Sequence, residues 1–178
     1  MQLLHKASKF TNNTRDLKQI YMLQIRSKLD QSAVVWHSGL TIKNRNDLER
    51  VQKSAVKLIL GARYENYDDA LKILQLETLD KRREKMCLKF AKQCLKLNKM
   101  RALFPRNESD HSMTKRLTNV YQNVRCYTER FQKSAIPSMV KLLNEHEAEK
   151  QKKFKKLDAI VPVNYVCNSS YHCNNKNI

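Results

Sequence analysis

Two neighbouring aspartates come closest, by type and spacing, to a catalytic centre. Asp68 and Asp69 follow Tyr67 in the stretch "ARYENYDDALKIL". Adjacent carboxylates of this kind can hold two Mg²⁺ ions about 4 Å apart for in-line phosphoryl transfer, as in a polymerase. In the polymerase motif such a pair lies on a tight β-hairpin between apolar strands, with one residue between the tyrosine and the carboxylates. Here the tyrosine is directly adjacent, a polar run precedes the pair and "ALKIL" follows it.

The same aspartates suit the start of a helix. Asp68 or Asn66 can cap it, and Asp69 falls in the first turn, where the helix dipole favours negative charge. The pattern therefore predicts a short helix over "DALKILQL" and no catalytic residue.

Two other groups resemble metal sites without completing one. The run "HEAEK" carries Lys150 where the zinc-protease motif has its second histidine. Cys167, His172 and Cys173 lie close together, but zinc needs a fourth ligand, and the gap between the cysteines exceeds the usual two to four residues. Two glycines can hardly build a phosphate-binding loop. We expect no enzyme activity, no metal, no cofactor and no small-molecule substrate.

Glycine content points to the fold class. The chain has 178 residues with 2 glycines and 3 prolines, whereas glycine is about 7% of an average chain. A sequence so poor in turn residues favours long helices joined by polar linkers. We predict an all-α fold, an irregular bundle of four to five helices with a polar, disordered C-terminal tail.

Apolar periodicity and capping residues locate these helices. The first is capped by Thr14 and ends at Gly39, and its apolar face comprises Leu17, Tyr21, Ile25, Leu29 and Ala33. The second is capped by Thr41 and ends at Gly61, and its apolar face comprises Leu48, Val51, Ala55, Leu58 and Ile59. Both glycines fall where a left-handed residue is wanted.

The later helices are predicted in the same way. Thr78 caps a helix over residues 79–100, and Pro137 is the first residue of a last helix, "PSMVKLLNEHEAEKQKKFKKL". Residues 106–133 are polar and weakly periodic, so no element is predicted there.

Charge indicates the kind of partner. The net charge of +18 comes from 35 basic and 17 acidic residues, which favours a polyanion, with nucleic acid ahead of an anionic membrane surface. No signal-peptide core is present, and the longest apolar run, "AVVW", is far shorter than the ~20 residues that span a bilayer. The five cysteines are odd in number and irregularly spaced. We expect an intracellular protein, nuclear or cytoplasmic, with reduced thiols and no membrane partner.

The basic residues form a pattern on the predicted helix 79–100. At about 100° per residue, six lysines share an arc of about 80° without an interleaved acid. They are Lys81, Lys85, Lys89, Lys92, Lys96 and Lys99. An apolar stripe lies opposite, comprising Leu79, Met86, Cys87, Phe90, Cys94 and Leu97. This assignment predicts that Phe90 is buried and that Lys92 is exposed.

Further basic residues extend the predicted binding surface. Arg82 and Arg83 add charge near the start of that helix, and Arg50, Lys53 and Lys57 share a face of the second helix. Ordinary solvated faces mix signs to form i,i+4 pairs. We therefore expect these residues to bind nucleic acid through its phosphates, and the lack of an aromatic row beside the lysines favours a duplex.

Five blocks of the chain together resemble a known family. They are "IYMLQIRSKLDQSAVVWHSGLT", "LERVQKSAVKLILG", "YENYDDALKILQLETLDKRREKMCLKFAKQC", "LFP" and "TERFQKSAIPSMVKLLN". In order and number they resemble the region downstream of the reverse-transcriptase domain in jockey-like non-LTR retrotransposon polyproteins, over about residues 8 to 145. The resemblance implies a helical polymerase thumb, which grips a primer–template duplex, and the segment that follows it.

The resemblance also implies a division of the chain. We expect a helical thumb-like domain over residues 1–105, an extension with a final helix over 106–160 and a disordered tail over 161–178. The catalytic palm and the endonuclease of the family are expected to be missing. The expected function is non-specific binding of RNA or an RNA–DNA duplex by a reverse-transcriptase fragment. The alternative is a non-binding structural remnant or a domesticated protein-interaction module.

Overall fold

The described part of the protein is mostly helical. A computed structural model describes residues 1–107 and 119–160, with side chains as far as residue 153. The α-helices are α1 Gln2–Phe10, α2 Thr14–Ile20, α3 Ser27–Asp30, α4 Ala33–Trp36, α5 Ile42–Leu60, α6 Tyr67–Ile73, α7 Leu79–Lys96, α8 Asn98–Arg101, α9 Glu129–Gln132 and α10 Ala135–Ile160. Over the described ranges, β-pairing is limited to one antiparallel bridge between Arg106 and Tyr121. The all-α prediction is confirmed, while the predicted tail lies outside the described residues.

The first predicted helix is not continuous. Asn13, rather than Thr14, caps α2 by accepting a hydrogen bond from the Arg15 amide at 3.0 Å. A π-helical segment, Tyr21–Arg26, joins α2 to α3, and the chain then turns at Ser32, which has a left-handed φ of 53°. The expectation of one helix from Thr14 to Gly39 is therefore wrong. Periodicity missed the turn because the apolar spacing continues through it to Ala33, which is buried.

The predicted caps hold in part. The Thr41 hydroxyl accepts from the Asn44 amide at 3.2 Å, and Gly61 ends α5 with a φ of 54°, as predicted. Gly39 instead ends a short 3₁₀ turn, His37–Gly39, and lacks the positive φ expected of it. The last helix begins at Ala135, so Pro137 lies in its first turn, where its missing N–H costs no hydrogen bond.

One hydrophobic core joins the N-terminal helices. It is built by α1, α2, α5 and α6 around residues that are almost fully enclosed, among them Leu4, Tyr21, Ala55, Val56 and Ala70. Helix α1 was not predicted from the sequence, although its Leu4 is completely buried in this core.

A second core joins α7 to the C-terminal region. Ala91 and Cys94 of α7 pack with Phe104, Tyr121, Met139, Val140 and Leu143. The buried Asn144 side chain holds this arrangement, since it accepts from the Tyr121 amide at 2.8 Å and donates to the Tyr121 carbonyl at 3.0 Å. The second core thus draws on residues before and after position 105. The predicted division into 1–105, 106–160 and 161–178 stays a prediction.

Helix α7 is shorter than the sequence predicts. It ends at Lys96, and Leu97 adopts an extended conformation with φ −93° and ψ 118°. The separate turn α8 follows, so the predicted single helix over residues 79–100 is wrong at its C-terminal end. Lys99 therefore does not share a continuous helical face with the other lysines.

Candidate functional site

The paired carboxylates form a helix start. Asp68 and Asp69 occupy the first turn of α6, as predicted. Asn66 is the N-terminal flanking residue, but its side chain makes no capping hydrogen bond, so the predicted cap is wrong in that respect. The Asp69 carboxylate lies 2.8 Å from the Lys72 ammonium, and that hydrogen bond lowers the pKa of Asp69. Among the described residues, no group of three or more histidine, cysteine, aspartate or glutamate side chains could hold a metal ion. Cys167, His172 and Cys173 lie outside the described residues.

Most of the predicted lysine arc is at the surface. Lys81, Lys85, Lys89 and Lys96 are exposed on α7, and Lys92 is half-buried. We call these five residues the lysine face. The side chains of Lys85, Lys89, Lys92 and Lys96, with Leu88 and Gln93, line an open groove of about 370 Å³. Lys85 pairs with Glu77, whereas Lys81, Lys89 and Lys96 have no acidic partner among the described residues.

Lys92 is half-buried because α10 packs beside it, so the prediction that it is exposed is wrong. Its ammonium lies 2.8 Å from Nε2 of His146. An ammonium can only donate, so Nε2 accepts and His146 carries its proton on Nδ1, which lies 3.5 Å from the Glu147 carboxylate. A hydrogen bond from Lys150 lowers the pKa of Glu147. Lys92 therefore attaches the lysine face to α10 as well as lining the groove.

The two arginines at the start of α7 make contacts within the fold, and Arg83 is buried. Arg83 is 1% exposed, and its guanidinium lies 5.3 Å from the centre of the Trp36 ring. Burial lowers its pKa. Arg82 is partly exposed, and its Nε donates to the buried Asp30 carboxylate at 2.6 Å. Arg83 is thus wrongly assigned to a nucleic-acid-binding surface, and Arg82 connects α7 to α3.

The buried stripe of α7 differs from the predicted one. The residues that are buried recur at nearly four-residue spacing: Leu79, Arg83, Cys87, Ala91 and Cys94. Phe90 is 38% exposed and Leu97 is 56% exposed, so the prediction that Phe90 is buried is wrong. The sequence favoured Phe90 over Arg83 because hydropathy alone cannot show that an aromatic partner, Trp36, accepts a buried guanidinium.

The basic side of α5 is also exposed, and two tyrosines from the segment after α5 lie beside it. The ammonium of Lys53 lies 5.0 Å from the centre of the Tyr67 ring, and that of Lys57 lies 5.9 Å from the centre of the Tyr64 ring. Arg50 is exposed and pairs with Asp47 at 3.3 Å. Arg50, Lys53 and Lys57 thus share a surface, as predicted, although the two rings beside it could not be placed from spacing.

A buried polar network fixes α7 relative to α5. The amide of Gln52, which is fully buried, accepts from the Tyr21 hydroxyl at 2.7 Å and donates to the Tyr67 hydroxyl at 2.9 Å and the Glu77 carbonyl at 3.0 Å. Tyr67 donates in turn to Glu49, whose other carboxylate oxygen accepts from the Leu79 amide at 3.1 Å. Burial raises the pKa of both tyrosines, so their hydroxyls stay protonated donors.

The network supplies the cap that Thr78 was expected to supply. The Thr78 side chain makes no capping bond, and the Glu49 carboxylate satisfies the first amide of α7 instead. A carboxylate at a helix N-terminus also complements the helix dipole. Sequence reasoning missed Gln52 and Glu49 because a polar residue within an amphipathic helix gives no sign of a distant partner.

Comparisons with known proteins leave the family open. The chain matches no protein-family model, no curated protein and no solved structure. Within the described part of the chain, every helix is too short or too polar to cross a lipid bilayer.

Proposed function

We propose that the protein binds nucleic acid through phosphate contacts made by the lysine face. The observation that carries this proposal is the exposure of Lys81, Lys85, Lys89 and Lys96 along one side of α7. Ammonium groups aligned on a rigid helix can each contact a phosphate and release condensed counterions. Lysine contacts to phosphates carry no sequence information, so the binding is sequence-non-specific.

The resemblance described above supports RNA or an RNA–DNA duplex as the ligand. The blocks that resemble the region after the reverse-transcriptase domain include α7 from its first residue, Leu79, to Cys94. A helical thumb next to a polymerase centre holds its substrate by the backbone, which agrees with a lysine face. We propose a fragment of such a reverse transcriptase that binds its ligand without catalysing a reaction.

A fluorescence anisotropy titration with a labelled RNA–DNA duplex tests the proposal at several salt concentrations. The variant changes Lys81, Lys85, Lys89 and Lys96 to glutamine, and leaves Lys92 in place because of its contact with His146. If each lysine contacts one phosphate, the negative slope of log affinity against log salt becomes shallower by about 3 to 4 in the variant. A primer-extension assay with Mg²⁺ on the same protein is expected to give no product.

A matched control distinguishes binding by the lysine face from attraction by the overall charge of the protein. Lys6, Lys9, Lys28 and Lys43 are exposed outside α7, and their change to glutamine removes the same four charges. We expect this control to keep nearly the wild-type salt slope. Equal losses in the two variants would show that the net charge of +18, rather than the lysine face, attracts the ligand.

The alternative is a protein-interaction module, and one observation favours it. Phe90 and Leu97 are exposed on the side of α7 next to the lysine face, where phosphate binding gives them no role. A nucleic-acid affinity that is unmeasurable at low salt, combined with binding of a protein ligand at these residues, would favour that alternative.

A further inference from the structure

Part of the apolar surface of α7 is left uncovered by the residues that the structure describes. Met86, Phe90, Gln93 and Leu97 follow one another at spacings of four, three and four residues. Phe90, Gln93 and Leu97 are exposed and Met86 is half-buried. Leu97 directly follows the last residue of the helix. We call these four residues the seam.

The seam lies beside the buried stripe of α7 but outside both hydrophobic cores. None of its residues belongs to the cluster around Tyr21 or the cluster around Val140. Alternating spacings of three and four residues are the pattern by which one α-helix packs along another. The apolar surface of α7 is therefore wider than the part that the described residues cover.

Two lysines border the seam, and their positive charge favours a negatively charged binding partner. Lys89 directly precedes Phe90, and Lys96 directly precedes Leu97, seven residues apart. Both are exposed and lack an acidic partner among the described residues. Residues at these positions meet the flank of a paired helix, where opposite charges select the partner.

A second copy of this chain fits the seam poorly. Pairing of two seams would bring the lysines of each copy together on molecules of net charge +18. Like charges brought together at an interface cost several kcal/mol and exclude the wrong partner. The charge thus favours a different, acidic chain.

We propose that the seam docks an amphipathic helix of an acidic partner protein. The partner helix places apolar residues against Met86, Phe90 and Leu97, and aspartate or glutamate against Lys89 and Lys96. Gln93 meets a polar residue, since an amide within such a seam sets the register of the pair. Because the seam spans only about two heptads, the complex is of the small, transient class.

The proposal does not depend on the nucleic-acid proposal, although the two ligands would compete. Lys89 and Lys96 border the seam and also belong to the lysine face, whereas Phe90 and Leu97 belong to the seam alone. Substitutions at the two apolar residues therefore separate the two activities.

Synthetic helical peptides test the docking by isothermal titration calorimetry with the full chain. One peptide carries leucines at the positions that face the seam and glutamates on both flanks, and the second replaces every glutamate with lysine. We expect only the glutamate peptide to bind. Phe90→Ser with Leu97→Ser should weaken it about tenfold or more, as for central interface anchors. Lys89→Glu with Lys96→Glu should reverse the preference between the peptides.

Two control variants test whether these effects are specific to the seam. Val35→Ser with Ile42→Ser alters two exposed apolar residues elsewhere, and Lys6→Glu with Lys43→Glu reverses two distant charges. Neither control should change the affinity for the glutamate peptide. Undiminished binding of the glutamate peptide by the Phe90 and Leu97 variant would show that overall charge alone attracts the peptide, and would overturn the proposal. Binding of neither peptide by the wild-type chain would also overturn it.

Two further outcomes would assign the seam to another ligand and also overturn the proposal. Sedimentation that shows a dimer lost on Phe90→Ser would identify a second copy as the occupant. A loss of nucleic-acid affinity in the Phe90 and Leu97 variant, with peptide binding unchanged, would identify the seam as a base-stacking surface. We expect a monomer and unchanged nucleic-acid affinity.

Discussion

Replacement of Gln52 by leucine tests how α7 is held against the N-terminal core. The side chain is fully buried and makes three hydrogen bonds, to Tyr21, Tyr67 and the Glu77 carbonyl. Leucine has about the same volume as glutamine, but it can make none of these three hydrogen bonds. The Tyr67 hydroxyl can still donate to Glu49. The Tyr21 hydroxyl and the Glu77 carbonyl are left without the bonds that Gln52 makes to them.

The magnitude follows from those two groups. A buried polar group that loses its partner costs about 1–3 kcal/mol. Gln52→Leu should therefore lower the free energy of unfolding by about 2–6 kcal/mol. Since a domain is stable by only about 5–15 kcal/mol, this is a large fraction of the total.

Urea denaturation followed by circular dichroism measures the change. Gln93→Leu is the matched control, because Gln93 is exposed on α7 and its loss should change the stability by less than about 0.5 kcal/mol. Tyr21→Phe removes the hydroxyl that Gln52→Leu orphans, so the double variant should be more stable than the sum of the two single effects predicts. If Gln52→Leu matches the control, or if the two changes are simply additive, the network does not hold the helices together.

The remaining predictions concern α7 and its neighbours. Phe90→Ala should cost less than about 1 kcal/mol in urea unfolding, whereas Leu143→Ala in the second core should cost about 2–5 kcal/mol; a larger loss at Phe90 would contradict its exposure. Arg83→Met should leave the stability unchanged or raise it, because a buried cation is replaced by an apolar chain of similar size, and a lower duplex affinity would contradict its interior position. Burial lowers the pKa of His37 in the folded chain below its usual value of about 6.5. As pH falls below about 6.5, His37 is therefore protonated in the unfolded chain before it is protonated in the folded chain, and the folded chain loses stability. His37→Gln should flatten this part of the curve of stability against pH, and an unchanged curve would exclude His37 as its source.

The lysine face and the seam divide α7 into surfaces with separate chemistry. The lysines present mobile cations that suit phosphates, and the seam presents apolar groups that suit a helix. Arg83 and Trp36 lie on the buried side that orients both surfaces. Variants of Phe90, Lys81 and Arg83 therefore probe three different sides of one helix, which makes their effects separable.

Several elements could be predicted because their causes are local. Poverty in glycine and proline excludes a strand-and-turn fold, and the all-α architecture follows. Thr41 caps α5 and Gly61 ends it, since each acts on backbone groups within a few residues. The Asp68–Asp69 pair starts a helix for the same reason. Most of the lysine arc is exposed as predicted, because ammonium groups strongly prefer water.

Only the tertiary structure decided which side of α7 is enclosed and how the helix is held. Arg83 is buried because Trp36 arrives from α4 across a turn at Ser32 that periodicity does not show. Gln52 and Glu49 bind groups that lie 15 to 31 residues away along the chain, so no local pattern reveals them. Lys92 is drawn partly inside because His146 of α10 lies beside it. The physical reason is common to these cases: the free energy of a polar side chain depends on partners that only the folded chain brings within hydrogen-bonding or stacking distance.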